Sequence, residues 1–403
     1  MKDRKLTHPA VLLLAFVLLI LVIAVISARI NPDLPWALKP GKSSANEFPL
    51  VGEAPRVINT ELGAISVTTL LEDLDGPWAL APLNNNGLLV TTKPGKVQIY
   101  DASTNKLSEL AGMREIIKRR RAHLFDVFVH PDYQFNHWVY FSYAIEKNLK
   151  FSVEVARTQL NNNRLTNWQT LFQSAPMVEG RKHFGGGLAV HEGFLYVALG
   201  EHYTRPEVQD LSTHMGKVIR LHDDGGIPVD NPFIGVEDAL PEIYALGLRN
   251  PQNIAIDKND NIWAVEHGPS AGDELNLILP GANFGWPLAT KGTEYNGKPV
   301  APNYKGGVEM IDPIHDFKIS VAPSGLVFYD HELIPFWRDN LLVTTLIGSH
   351  LSRLVLENNK VIHEERLFSR FKTRLRDVQL SSNGCIYLLT EDGRLIKIDA
   401  AAG

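Results

Sequence analysis

The sequence predicts an all-β fold, a six-bladed β-propeller preceded by an N-terminal transmembrane helix. Three observations carry that reading. Beyond one apolar N-terminal segment, long amphipathic helical patterns are scarce. Short strand-like runs recur instead, each closed by Gly, Asn or Asp: "GLLVTTKPGKVQIYD", "HWVYFSYAI", "GFLYVALGE", "NIWAVEHG", "NLLVTTL" and "GCIYLLTEDGRLIKID". Comparable pieces near residues 87, 193, 261, 340 and 384 set a weak repeat of roughly 45–75 residues. Radial repetition of four-stranded sheets buries many short strands without long exposed edges, and about 340 residues divide into six blades of about 57 each. A pair of β-sandwiches is the competing arrangement.

The first element is the membrane segment. Residues 1–10 carry Lys2, Arg4 and Lys5 against Asp3, and Val11–Ala28 follows as an uninterrupted apolar run without a charge. At 1.5 Å per residue it spans roughly 27 Å, close to the hydrocarbon thickness of a bilayer. Ser27 and Ala28 suit a signal-peptidase site, but Ile26 fits poorly at the third-last position, so an uncleaved anchor is favoured over a cleaved signal. Positive charge on the N-terminal flank keeps residues 1–10 in the cytoplasm and sends the rest across. The expected location is the inner (cytoplasmic) membrane, single-pass, with the main domain in the periplasm. Residues 29–60, rich in Pro, Gly, Ser and Asn, read as a linker, and 61–403 as the propeller.

Composition narrows the partners. A formal charge of −5 over 403 residues, with both signs interspersed, argues against a nucleic-acid platform. The single cysteine, Cys385, excludes an intrachain disulfide and a cysteine-based zinc site.

Ring closure brings loops from every blade to one mouth of a central channel, so residues distant in sequence meet there. Four stretches fit such a site: "HLFDVFVHPDY" (123–133), "HFGGGLAV" (183–190), "GKVIRLHDDGGIPVDNPF" (216–233), and "LGLRNPQNIAID" (246–257) leading into "EHGPSAGDELNLILPGANFGWP" (266–287). The last is odd for a surface turn, because it sets Asp273 and Glu274 just past an exposed Gly268-Pro269 step.

Together and in this order these stretches resemble the glucose/sorbosone dehydrogenase family, the soluble PQQ-dependent sugar dehydrogenases built on a six-bladed propeller, and most of all its bacterial aldose sugar dehydrogenase branch. The resemblance covers about residues 65 to 400. It implies oxidation of an aldose to a lactone with PQQ as cofactor, and electrons passed to an acceptor in the membrane or periplasm. It implies His183 as general base, oriented by Glu201, and Arg249, Asn250, His267, Arg374 and Arg376 ("RLRDV") as residues engaging PQQ, with Tyr295 against the cofactor. Guanidinium forks suit the carboxylates of PQQ. It further implies Ca²⁺ at the backbone carbonyls of Gly268 and Pro269, and a second, structural Ca²⁺ at Glu274 and the backbone of Phe284, an oxygen environment that suits a hard cation.

Three positions depart from the family pattern. Arg121 ("RAHLFDV") stands where relatives carry glutamine and adds a cation to the cofactor pocket. Ile347 ("TTLIGSH") replaces a cofactor-contacting lysine, and Gly187 replaces an arginine. A propeller that has lost PQQ and serves as a sugar- or protein-binding module at the envelope is the alternative function; a lactonase-like hydrolase using the same channel is another.

Removal of residues 1–28 should release a folded, soluble domain, because only that segment is apolar enough to hold a bilayer. Fractionation of the truncated protein after a salt wash tests this; persistence in the membrane fraction would reveal a second anchor.

Overall fold

The computed structural model describes residues 45, 47–83, 87–114 and 124–401. The expected membrane helix at Val11–Ala28 and the cofactor-pocket residue Arg121 lie outside the described residues. Among those described, no helix is long and apolar enough to cross a membrane.

The described strands form six antiparallel sheets, the blades of a propeller. Each blade begins with an innermost strand: β3 (Pro77–Leu83), β7 (Leu124–Val129), β11 (Gly185–His191), β15 (Pro251–Ile256), β19 (Pro323–Tyr329) and β23 (Leu375–Leu380). Each inner strand touches the next, and β23 returns to β3, so the ring is closed. The last blade is completed from both ends of the domain. Its strands β24 (Ile386–Thr390) and β25 (Leu395–Ala400) are extended by β2 (Ala64–Leu71), which pairs with β25 from Ile65↔Ala400 to Leu71↔Leu395. This pairing joins the two ends of the domain.

The linker expected over 29–60 ends earlier than the sequence suggests. Phe48 is fully buried, its ring 5.2 Å from Phe368 and 4.7 Å from Phe371, and β1 (Arg56–Asn59) pairs with β2 as the outer strand of the last blade. One apolar anchor and one strand override the Pro- and Gly-rich composition that made the segment look like a spacer.

The apolar alternation of the strands is spent between blades. Phe125, Tyr140 and Val153 of the second blade pack with Leu188, Val197 and Ile219 of the third, and Tyr329 and Leu342 of the fifth with Val378, Ile386 and Ile398 of the sixth. The core is thus a set of layers between neighbours, and every blade depends on the next.

At the start of each inner strand the register slips: between Pro77 and Leu80, Leu124 and Val127, Gly185 and Leu188, Pro251 and Asn253, Pro323 and Leu326, and Leu375 and Asp377. A bulge frees backbone N–H groups that burial does not tolerate unpaired. Hydroxyls from the second strand of the blade accept several of them: Thr91 from Ala79 at 3.0 Å, Ser142 from Asp126 at 3.0 Å and Thr344 from Gly325 at 2.8 Å. The repeated "LLVTT" of the sequence therefore encodes both a strand and the acceptor for its neighbour's bulge. Two buried carboxylates do the same between blades. Asp126 accepts the Leu188 N–H at 2.8 Å and Asp377 the Leu80 N–H at 2.7 Å.

Ile398→Ala should lower stability by about 2–5 kcal/mol, because the side chain is fully buried in the layer behind the β2–β25 junction. Urea unfolding of the domain checks this; a loss below about 1 kcal/mol would mean that closure does not depend on that layer.

Candidate active site

The β11–β12 hairpin places the central pair. Strand β12 (Phe194–Leu199) runs antiparallel to β11 with Gly185 opposite Leu199, so the residues just before 185 and just after 199 face each other. Those residues are His183 and Glu201. His183 takes a left-handed backbone (φ 53°), uncommon for a residue with a side chain though more open to His than to most. Gly200 is required beside it, since a Cβ there would come within 2.0 Å of the His183 carbonyl.

Glu201 is fully buried, accepts two hydrogen bonds and has one cation nearby. His183 Nδ1 lies 2.9 Å from Oε1, Trp286 Nε1 donates to Oε2 at 2.5 Å, and Arg249 Nε stands 3.8 Å from Oε1. With Nδ1–H donated to the carboxylate, the Nε2 lone pair of His183 is left for the cleft. Burial pulls the His183 imidazole below its ordinary value, opposed by the Glu201 hydrogen bond, so the ring is neutral at pH 7. Tyr203 stacks on it at 4.2 Å.

His183 opens on a cleft of about 320 Å³, lined also by Trp78, Phe125, Asn250, Gln252 and Arg376. Its lining draws on the bulges of several inner strands. Arg376 lies 4.2 Å over the Trp78 ring and donates to Glu391, as does Arg374. Arg374 is about half exposed and outside the cleft lining, whereas Arg376 is buried within it. Asn250 lines the cleft; its amide Nδ2 approaches His267 Nδ1 at 3.4 Å. The His267 ring also donates from Nε2 to the Pro323 carbonyl at 2.8 Å, so both of its nitrogens are engaged by the protein and it positions Asn250. Burial pushes His267 down to about 4, which keeps it neutral.

The paired carboxylates after Gly268-Pro269 separate in role. Asp273 Oδ1 accepts the Gly268 N–H at 2.9 Å, and Oδ2 accepts the Val321 and Ala322 N–H groups, each at 2.7 Å. It ties the Gly-Pro turn to the start of the next blade. Glu274 instead faces Glu266 across Asn276, whose amide donates to Glu266 at 3.0 Å and Glu274 at 3.5 Å. Burial raises Glu266 to about 7, and burial together with the Glu266 charge raises Glu274 well above the carboxylate range. Phe284, buried, lines the same small cavity as Glu274.

Two findings bear on whether these residues fit the implied groups. Arg249 Nε, Arg376 Nε and Asn250 Oδ1 are buried without a hydrogen-bond partner, which fits an anionic, carbonyl-rich cofactor held in the cleft. For the cation, Glu266, Glu274 and the unpartnered Asn276 Oδ1 make an all-oxygen donor set that suits Ca²⁺. The Gly268 carbonyl suits it less in this structure, because it accepts Arg249 Nη1 at 2.5 Å.

Tyr295 is 78 % exposed and outside the cleft lining. Ile347, 62 % exposed, also stays out. Gly187 lies against the Asn253 backbone, where a Cβ would approach within 2.8 Å, so this channel wall has no room for the arginine of relatives. Sequence reasoning missed Lys93, Trp78 and Glu391. Lys93 lines the cleft from the first blade, 5.4 Å over Trp78 and 3.9 Å from Glu391. The signal was available in the repeat, since "LLVTTKPG" parallels "LLVTTLIG" and sets Lys93 on a loop equivalent to the one that carries Ile347.

Residues 74–397 match the Glucose / Sorbosone dehydrogenase family. The chain belongs to that family. It is 35% identical over 357 residues to Aldose sugar dehydrogenase YliI of Escherichia coli (strain K12), covering 86% of this chain and 94% of that protein. A solved glucose dehydrogenase superposes with a TM-score of 0.79 at 37% identity, covering 84% of this chain and 99% of that one. The PQQ-bound Aldose Sugar Dehydrogenase from Streptomyces coelicolor superposes with a TM-score of 0.69 at 26% identity, covering 86% and 99%.

Ca²⁺ should raise the melting temperature of the metal-free domain, and more at pH 8 than at pH 5.5. Glu266 and Glu274 are carboxylates with raised folded-state values, so the stability they contribute as neutral acids is lost as pH rises through about 7. A cation replaces those protons only where the acids are ionised. Thermal melts with EGTA or Ca²⁺ on the wild type and Glu274→Gln test this; equal melts with and without Ca²⁺ at pH 8 would remove the assignment.

Proposed function

We propose that this protein is a PQQ-dependent dehydrogenase that oxidises aldoses to lactones, attached to the inner membrane by Val11–Ala28 with the propeller in the periplasm. The observation that carries the reading is the His183–Glu201 hydrogen bond at 2.9 Å, beside a cleft lined by Arg376, whose buried Nε lacks a hydrogen-bond partner, as does that of Arg249 next to Glu201. Family membership and the PQQ-bound relative support it. When bound, PQQ supplies the quinone that accepts the substrate's hydride equivalent. Arg249, Asn250 and Arg376 would hold its polar edge, with Lys93 in the position to supply the cation that Ile347 does not. Glu266 and Glu274 would hold Ca²⁺.

The proton chemistry belongs to the chain. His183 Nε2 takes the proton of the anomeric hydroxyl, and Glu201 steadies the imidazolium that results. Trp286 and Arg249 hold Glu201 in place, which fixes the tautomer of His183. Trp78 and Phe125 give the cleft apolar walls against which a sugar ring and a flat cofactor can pack. Electrons then leave for an acceptor in the membrane or periplasm.

His183→Ala should cut turnover by roughly 10²–10⁴-fold, the usual contribution of positioned acid–base catalysis. PQQ affinity by titration calorimetry should hardly change. Glu201→Gln should also slow turnover and move the acid limb of kcat/KM to lower pH, because the carboxylate is what raises His183 against burial. Dye-reduction rates with PQQ and Ca²⁺ over a panel of sugars read both effects. Failure of the wild type to bind PQQ at micromolar concentration would transfer the protein to the binding-module alternative.

A further inference from the structure

The cleft is one-sided in charge. Lys93, Arg181, Lys182 and Arg376 stand among its lining residues, and among the described residues no Asp or Glu does. Lys93 and Arg376 share Glu391, which also takes Arg374. Arg181 and Lys182 have no ion-pair partner among the described residues and are held by aromatic faces instead. The Arg181 guanidinium lies 5.1 Å from the Phe151 ring, and the Lys182 ammonium 5.2 Å from that of Tyr203.

The placement of Lys182 is tied to the base. Tyr203 holds the ammonium at 5.2 Å and stacks on His183 at 4.2 Å, so one aromatic ring contacts both groups. The segment is pinned where it begins, because Gly180 presses on the His202 carbonyl so closely that a Cβ would come within 1.7 Å. Arg181 and Lys182 are exposed at the rim, whereas Arg249 and Arg376 are buried below. The buried, unpartnered guanidinium atoms are therefore the donors suited to the cofactor, and the rim cations are left for what enters after it.

Resting on the aldose-oxidation reading, we infer that the preferred substrate is an aldose bearing an acid group, a carboxylate or a phosphate ester, which Arg181 and Lys182 hold while its anomeric carbon faces His183. A neutral sugar offers only hydroxyls to these two cations. An anionic group forms charge-assisted hydrogen bonds with both, and a cleft of one sign draws such a substrate in. The oxidation itself is unchanged: the C1–H hydride equivalent goes to the quinone, the anomeric proton goes to His183, and the acid group takes no part in bond making.

The test measures initial rates of the PQQ- and Ca²⁺-loaded protein on glucose, glucuronate and glucose 6-phosphate over a range of ionic strength. The expected result is a kcat/KM for at least one acid about tenfold above that for glucose at low salt, with the advantage shrinking as salt is added. The Arg181→Gln, Lys182→Gln double variant should abolish that advantage while its PQQ affinity stays at the wild-type value. A preference for glucuronate assigns the site to a carboxylate, and one for glucose 6-phosphate to a phosphate ester. Equal kcat/KM on all three sugars overturns the inference and leaves aldose oxidation standing. A double variant that loses PQQ affinity also overturns it, because the cations then belong to the cofactor. If none of the sugars is oxidised, the aldose-oxidation reading fails, and calorimetry with the two acids decides the pocket by itself. Binding to the wild type that is lost in the double variant retains an anion-binding rim; no binding to either removes it.

Discussion

The slip of register at the start of each inner strand is the constraint on which the site depends. A regular strand would point alternate side chains into the neighbouring blades and leave the mouth of the channel lined by backbone. The bulge re-aims one or two residues per blade toward the axis. Those residues are Trp78, Phe125, Gly186 with Gly187, Gln252, Ser324 and Arg376, which line the cleft or the constriction below it. The cost is a set of freed N–H groups, and the structure meets it with Thr and Ser hydroxyls within a blade and with Asp126 and Asp377 between blades. Burial raises Asp126 to about 7, and burial and the Asp126 charge raise Asp377 well above its usual range, which marks how far from solvent these ties lie.

The same logic explains why the His183–Glu201 pair needs so little machinery. Glu201 and His183 sit on opposite ends of one hairpin, so the fold of a single blade aligns them. Neighbouring blades contribute only what holds Glu201 still, through Trp286 and Arg249. The buried acids Glu266 and Glu274 are separate from this pair, and Glu266 accepts the backbone N–H groups of Arg249 at 2.6 Å and Asn250 at 3.3 Å. A cation at Glu266 and Glu274 would thus steady the loop that carries Arg249 and the cleft residue Asn250.

Much of the fold was legible because the repeat is written in local chemistry. Turn residues, alternating strands and the "LLVTT" pieces are short-range signals, and six of them in a ring is the economical solution for a chain of this length. The family resemblance pointed to His183, Glu201, Arg249, Asn250 and Arg376, and the structure brings His183 against Glu201 and sets Asn250 and Arg376 in the cleft lining. The spacer boundary was less legible: composition speaks for residues 29–60 as a whole, while Phe48 and β1 are held by single contacts to the far end of the chain.

By itself the sequence determined the all-β class and the family, because both rest on patterns confined to a few neighbouring positions; the blade count needed the family resemblance beside the weak repeat. Only the tertiary structure decided that Lys93 and Trp78 belong to the cleft, that Glu391 binds Arg374 and Arg376, and that Tyr295 and Ile347 stay outside. It also decided that Asp273 ties a loop while Glu274, the next residue, joins Glu266 in a buried acid pair. The reason is that these roles depend on which side chains from different blades meet at the axis. Ring closure sets that meeting, and no stretch of sequence contains it.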